Sequence, residues 1–389
     1  MIKNFGVQYP GHVDFNDIGY DATPVNSRWL NEDHLNSVYT KSENIAKVMD
    51  KNGYSTLWLA EHHFQREGYE CTSNLNMLAL HLAHITKRIK IGCGFNIMPT
   101  WHPLRLAEDY AMADILTNGR VVFGVGRGYH SREIESFGQP LLDADANRDL
   151  FEEMVDIVFK AFNEKSFSHK GKHYTIPPAV PYRGYELEEI TLVPRPVNRP
   201  VECWQPIVSV NERGMNFMVK HGMKGMIQGG ASSGGGGANR EAIEKWQSIQ
   251  KENGIETELG ENLCVGYNFY IADSKEKAIK ETQSFFEETV KMFGPLGFIR
   301  GLSDSQINSL AQGGLKARSA SLPTLEEGVE SGSWIVGTAD DIKEQLFDIQ
   351  KTYPGLTDIN LMQIPGMTES VILEQIEGFA QDVMPSFTS

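Results

Sequence analysis

Short apolar stretches in this sequence run directly into the residues best equipped for chemistry. One leads into Glu61-His62-His63-Phe64 and another into Asn96, with Thr100, Trp101 and His102 just beyond. A third ends in Gly126-Arg127-Gly128-Tyr129-His130, and a fourth at Ser209, followed by Asn211 and Arg213. A neutral histidine accepts or relays one proton near pH 7, so His62 and His63 are candidates for acid–base work or for hydrogen-bonded packing. A metal shared by the pair is disfavoured, because adjacent side chains on extended backbone point in opposite directions and no H-E-x-x-H spacing is present. Arg127 lies between two glycines that let backbone approach a ligand, and its planar fork matches a phosphate. The surrounding GVGRG lacks both the spacing of a dinucleotide fingerprint and the G-K-[ST] ending of a nucleotide loop. Arg148, after the acidic run DADAN, offers either a second phosphate partner or a surface ion pair. Thr338, with Asp341 three residues on, reads as a short-armed capping box at a helix start that can also face an anion. No G-x-S-x-G nucleophile elbow occurs.

These groups need a frame that brings them together. Strands are expected at 2–9, 56–60, 89–97 and 121–126, then at 204–209, 225–227, 263–271 and 359–364. Helical spacing fills 37–52 and 74–86, the latter with Leu75, Leu78, Ala79 and Leu82 on one face. Pro103 opens the next helix, where its missing N–H is not needed, and Asn118-Gly119 stops it. Short apolar strands alternating with helices signify parallel β/α architecture. Eight such units point to a closed (β/α)8 TIM barrel, in which ligands bind at the C-terminal ends of the strands. The groups above then converge on one face.

The 389 residues suffice for one such barrel with insertions in its C-terminal-face loops, read as a single domain over 1–389. Two regions exceed a minimal barrel: a polar, proline-rich loop excursion at 162–200, with room for a small hairpin, and an inserted helical and loop region at 284–330, a candidate lid. Asp273-Ser274 reads as the capped start of the helix entering the second. The run ASSGGGG at 231–237 reads as a surface linker before a helix from Arg240, or as a mobile edge of the site. A net charge of −15 argues against broad nucleic-acid binding and leaves a single phosphate ligand open. Cys71, Cys93, Cys203 and Cys264 are far apart and are expected to be free thiols. Neither a signal peptide nor a membrane span is indicated, so a soluble cytoplasmic protein is expected.

From Trp58 to Gly138 the chain resembles the bacterial luciferase-like flavin monooxygenases, closest in motifs to the alpha subunit of bacterial luciferase. The carrying segments are LAEHHF and IKIGCGFNIMPTWHPLRLAEDYAMADILTNGRVVFGVGRGY, with Phe137-Gly138 after them. PRPVNRPVECWQPIVS, VGYNFYIADSKEKA and IVGTADDIKEQL extend the likeness along nearly the whole chain. The resemblance implies a barrel that takes reduced FMN (FMNH2) as a diffusible co-substrate from a separate NAD(P)H:flavin reductase. It implies reaction of that flavin with molecular oxygen through a C4a-peroxyflavin, oxygenation of a small or medium apolar organic substrate, and assembly as a homodimer. It places His62 as the catalytic histidine, with Glu61 and His63 supporting it. Arg127 and Arg148 fall on the flavin phosphate, with Ser209 and Asn211 nearby, and Asn96 and the backbone of Gly126 approach the ring. Trp101, Phe293 and Phe298 are candidates for the substrate wall or for core. Gly126 stands where luciferase carries a cysteine, so side-chain bulk beside the ring is absent and light emission does not follow. The rival readings are a deazaflavin-dependent oxidoreductase, which shares this barrel and transfers hydride, and a non-catalytic flavin-binding partner subunit.

Overall fold

Inward and outward residues alternate along each strand of a barrel, and the interior must be filled by side chains. The computed structural model describes residues 1–229, 238–299 and 302–387. Its eight barrel strands are β1 (Asn4–Tyr9), β2 (Thr56–Leu59), β3 (Lys90–Cys93), β4 (Val121–Gly126), β5 (Cys203–Pro206), β6 (Lys224–Ile227), β7 (Leu263–Ile271) and β8 (Asp358–Met362). Each pairs in parallel with the next, and β8 pairs back onto β1 with Phe5 opposite Ile359 and Val7 opposite Leu361. The chain is a (β/α)8 barrel with additional elements.

The interior carries a buried layer of Trp58, Phe95, Val122, Trp204, Met226 and Cys264, contributed from β2 round to β7. Trp58 and Trp204 meet edge to face, ring centroids 5.5 Å apart. The indole of Trp58 occupies the space a side chain on β3 would need, since a Cβ on Gly92 would lie 2.2 Å from its Cε3. Gly92→Ala is therefore expected to destabilise the barrel by about 1–3 kcal/mol or more through overpacking. The denaturant midpoint reads this directly, and an unchanged midpoint would contradict the packing described. Outside the barrel, Val7, Leu57, Ile91, Phe123 and Val265 join Ile45, Leu78, Leu82 and Leu106 of the helices in the main core.

Helix ends follow their capping residues. Asn74 accepts from Met77 N–H and opens Leu75–Ile85, and Pro103 is the first residue of Pro103–Leu116. Ser274 caps Lys275–Phe293, while Thr338 and Asp341 close a full capping box on Ala339–Thr352. The first helix, Glu32–Asn52, starts earlier than its apolar spacing signals because Asn31 caps it, accepting from His34 N–H at 2.8 Å. The strand expected at 89–97 is in two pieces, β3 and Asn96–Ile97, the latter pairing with Val125 and Gly126. Between them Gly94 N–H bonds Leu59 O at 2.7 Å, the Gly94–Phe95 peptide is cis, and the Phe95 ring joins the interior layer. A further strand, Trp334–Gly337, lies beside the outer half of β7, with Phe269 opposite Ile335.

Between Asn163 and Cys203 the chain forms two small antiparallel ribbons, His169–Lys170 with Thr175–Ile176 and Pro181–Tyr182 with Tyr185–Glu186. Helices Asp304–Gln312, Gly314–Arg318 and Leu325–Glu330 follow Lys275–Phe293. The glycine-rich run at 231–237 lies outside the described residues, and the helix after it spans Ala238–Glu252. All four cysteines are free, and no helix among the described residues is long and apolar enough to cross a membrane.

Candidate active site

At the C-terminal end of β2 the chain delivers Glu61, His62 and His63 into the barrel mouth. Glu61 is fully buried, and its carboxylate accepts from Thr100 Oγ1 (2.9 Å), Trp101 Nε1 (2.8 Å) and Ile97 N–H (3.2 Å). His63 Nε2 is 3.1 Å from the same carboxylate. The indole N–H of Trp101 is thus committed to Glu61, so Trp101 anchors a charge whatever apolar surface it also offers.

His62 turns the other way, into a buried polar cluster. Its Nδ1 is 3.2 Å from Glu133 Oε1, and its Nε2 is 3.2 Å from both Glu70 Oε1 and the hydroxyl of Tyr129. Tyr129 donates to Glu70 Oε1 at 2.7 Å, and His130 Nε2 lies 3.0 Å from Glu70 Oε2. Gln65 closes the far side by donating to Glu133 at 3.0 Å. Burial alone would push the His62 imidazole down, but the carboxylates of Glu70, Glu133 and Glu61 outweigh it and raise its pKa. Burial likewise works to raise Glu70 and Glu133, yet His62, His130 and their hydrogen bonds hold both below the usual carboxylate range. A carboxylate thus faces each ring nitrogen of His62 and favours its protonated form. His62, Glu70 and His130 also converge closely enough to hold a cation. The same atoms also lie within hydrogen-bonding distance of one another.

A second centre lies past β4. Arg127 follows its last residue, and Arg148 sits in the first turns of the helix Ala144–Asn163. Among the described residues neither forms an ion pair with a carboxylate, whereas Arg213 pairs with Asp149 (2.8 Å) and Glu152 (2.6 Å). Burial, then the neighbouring Arg148 and Arg213, lower the Arg127 pKa against the opposing pull of Glu152. Clustered cations that repel one another without a neutralising partner are built for an anion. Beyond β5, Ser209 is exposed on the bend, and Asn211 caps the helix Glu212–Lys220 by accepting from Gly214 N–H at 2.8 Å. A Cβ on Gly214 would lie 3.3 Å from Arg148 Nη1, so this helix start and Arg148 are neighbours. Arg127, Arg148 and Asn211 are brought to one locus.

Buried amides of the strand segments leave atoms that a polar ring system could pair with. Asn96 is buried and donates to Gly124 O at 2.9 Å, but its Oδ1 has no partner. Asn360 Oδ1 in the middle of β8 and both amide atoms of Gln363 just past its end are buried and likewise unpartnered. Buried amide atoms left unpaired each cost about 1–3 kcal/mol, so this set fits a ligand edge that carries donors and acceptors. Gly126 gives close approach: a Cβ there would already touch Phe95 Cβ at 3.2 Å. Phe298, 41% exposed, packs its ring edge to face with Tyr129 at 4.7 Å, while Phe293 is half-buried behind it, packed against the small cluster of Val13, Phe15 and Tyr69.

Residues 20–354 match the family described as luciferase-like monooxygenase. The chain belongs to that family. The flavin-dependent trigonelline monooxygenase oxygenase component of Acinetobacter baylyi is 24% identical over 371 residues, 90% of each chain. The alkanal monooxygenase alpha chain of the Kryptophanaron alfredi symbiont is 31% identical over 134 residues, 34% of this chain and 36% of that one. The uncharacterized protein y4vJ of Sinorhizobium fredii is 34% identical over 142 residues, 36% of this chain and 39% of y4vJ. Among solved structures, the oxygenating constituent of 3,6-diketocamphane monooxygenase from Pseudomonas putida, in complex with FMN, superposes with a TM-score of 0.73 at 17% identity over 99% of both chains. The coenzyme F420-dependent tetrahydromethanopterin reductase of Methanopyrus kandleri superposes at 0.68 with 17% identity over the full length of both. The luciferase-like barrel of this chain is thus shared with FMN-dependent and with F420-dependent enzymes.

Glu70, Glu133, Tyr129, His130 and Gln65 had no assigned role in the sequence. Tyr129 and His130 lie in the same loop as Arg127 and were legible as groups at a strand end. Glu70 and Glu133 were not legible: one follows an irregular loop, the other sits in the charged run SREIES, and nothing in either segment marks a buried carboxylate.

Proposed function

We propose that this luciferase-like chain is the oxygenase of a two-component FMN monooxygenase, acting on a small or medium apolar organic substrate. The observation that carries the reading is that residues following the barrel strands include unneutralised Arg127 and Arg148 beside each other, the buried His62 cluster, and buried amides with unpartnered atoms. Reduced FMN, when bound, supplies two electrons to O2, so that one oxygen atom enters the substrate and the other leaves as water. Arg127 and Arg148 hold the phosphate, with the helix start at Asn211 and the bend at Ser209 beside it. Asn96 pairs with the ring edge, and the bare backbone of Gly126 lets the ring approach. His62 holds and moves the proton that oxygen transfer requires, while Glu61 and His63 keep the segment in place. Phe298 shields this space from water, with Phe293 behind it and Trp101 on the Glu61 side; excluding water suppresses loss of hydrogen peroxide.

A separate NAD(P)H:flavin reductase would supply the flavin, and a cytoplasmic homodimer is the expected form. The superposition on an F420-dependent reductase supports one rival, hydride transfer from a deazaflavin without oxygen. A non-catalytic flavin-binding subunit would have no use for the charged histidine cluster. The test is turnover with enzymatically reduced FMN under 18O2 across a panel of ketones, aldehydes and aromatic compounds. One labelled oxygen atom in a product formed only with this chain present is the expected result. Substrate reduction by a reduced deazaflavin under anaerobic conditions, with no 18O incorporated from FMN, would replace this reading with the rival.

A further inference from the structure

The Glu70 carboxylate spans two imidazoles, with Oε1 at 3.2 Å from His62 Nε2 and Oε2 at 3.0 Å from His130 Nε2. We propose that Glu70 and His130 are positioning residues for His62: the shared carboxylate fixes the orientation of the His62 ring and joins it to a second imidazole that holds the carboxylate from its other oxygen. This inference deepens the proposed function and rests on His62 serving the reacting centre there.

The groups facing His62 come from four segments. Glu61 lies on its own strand end, Glu70 on the following loop, Tyr129 and His130 beyond β4, and Glu133 on the short helix Ser131–Ser136. Glu70 is held from outside the cluster as well. Its neighbour Tyr69 bonds the buried pair Arg28 and Glu288, which are themselves 2.8 Å apart, and Cys71 N–H donates to Gly11 O at 2.9 Å. His62 N–H donates to Thr72 O at 2.8 Å, so the segments carrying the acid and the base are tied backbone to backbone. Glu70 thus cannot follow His62 by drifting; it sets where the ring points. A buried ionic cluster of this kind is weak evidence for stability, and strongly perturbed ionisable groups gather where chemistry is done.

The test is a histidine titration by NMR on the full chain, without flavin or oxygen. Glu70→Gln is expected to lower the His62 midpoint by about one to three pH units, the effect of losing an adjacent opposite charge, and Glu70→Asp to restore part of it. His130→Gln is expected to raise the His62 midpoint, because the carboxylate then serves one imidazole instead of two. A His62 midpoint unchanged in Glu70→Gln overturns the proposal. Should that variant not fold, His130→Gln carries the test, and an unchanged midpoint there overturns it equally. Since neither flavin nor substrate enters the measurement, failure to oxygenate any substrate would sink the proposed function alone.

Discussion

Replacing His62 by alanine is expected to lower oxygenation turnover by about 10²- to 10⁴-fold, the range typical of a lost general acid or base. Binding of reduced FMN should change little, because the phosphate locus at Arg127 and Arg148 is built from separate elements. The variant also leaves Glu70 and Glu133 without the cation between them. Folding is therefore checked first, and His62→Gln, which keeps hydrogen-bonding capacity, is measured beside it. Unchanged turnover in a folded variant would remove His62 from the mechanism. The same cluster makes stability depend on pH with a defined sign. His62 has a raised folded pKa, so its contribution is fully present below the unfolded value of about 6.5 and is lost as pH rises through the folded value. Glu70 and Glu133 are held down, so theirs is present above about 4.3 and is lost as pH falls through their folded values. The denaturation midpoint should therefore be highest between these limits and fall on both sides. In Glu70→Gln the alkaline decline should move to lower pH.

Arg127→Ala is expected to weaken FMN binding by about 10- to 100-fold, the loss of one charge-assisted contact to phosphate at 1.5–3 kcal/mol. Riboflavin, which has no phosphate, should bind wild type and variant alike, so the variant loses its discrimination between the two. The paired change of Arg148 should act in the same direction and less than additively, because the two guanidiniums share one anion. Equal weakening toward riboflavin would mean that Arg127 supports the loop rather than the phosphate.

The barrel was legible because its signals are local. VVFGVG is bounded by Asn118-Gly119 and Arg127, Pro103 can only begin a helix, and Asn74, Ser274 and Thr338 mark helix starts by their own side chains. Trp334–Gly337 escaped notice because four apolar residues before a strong cap read equally well as a lead-in, and only the outer half of β7 supplies its partner. Strand 89–97 looked continuous because nothing in IKIGCGFNI shows that Phe95 turns inward to meet Trp58 and Trp204. At the site, the residues at strand ends could be named because the barrel fixes which end faces the ligand. Glu70 and Glu133 could not, since their proximity to His62 is created by contacts such as Tyr69 with Glu288, made across 219 positions of sequence. The indole bond from Trp101 to Glu61 also joins separate segments, across 40 positions, and an aromatic in a sequence does not reveal whether its N–H or its face will be used.

The claim beneath all of this is that the mouth between Arg127 and His62 accepts a phosphorylated, reduced tricyclic flavin. Anaerobic equilibrium titration of the chain with reduced FMN, reduced riboflavin and a reduced deazaflavin tests it most directly. Saturable binding that is tightest for reduced FMN and weakened selectively by Arg127→Ala is the expected result. No binding of reduced FMN, or tighter binding of the deazaflavin with no effect of Arg127→Ala, would contradict it.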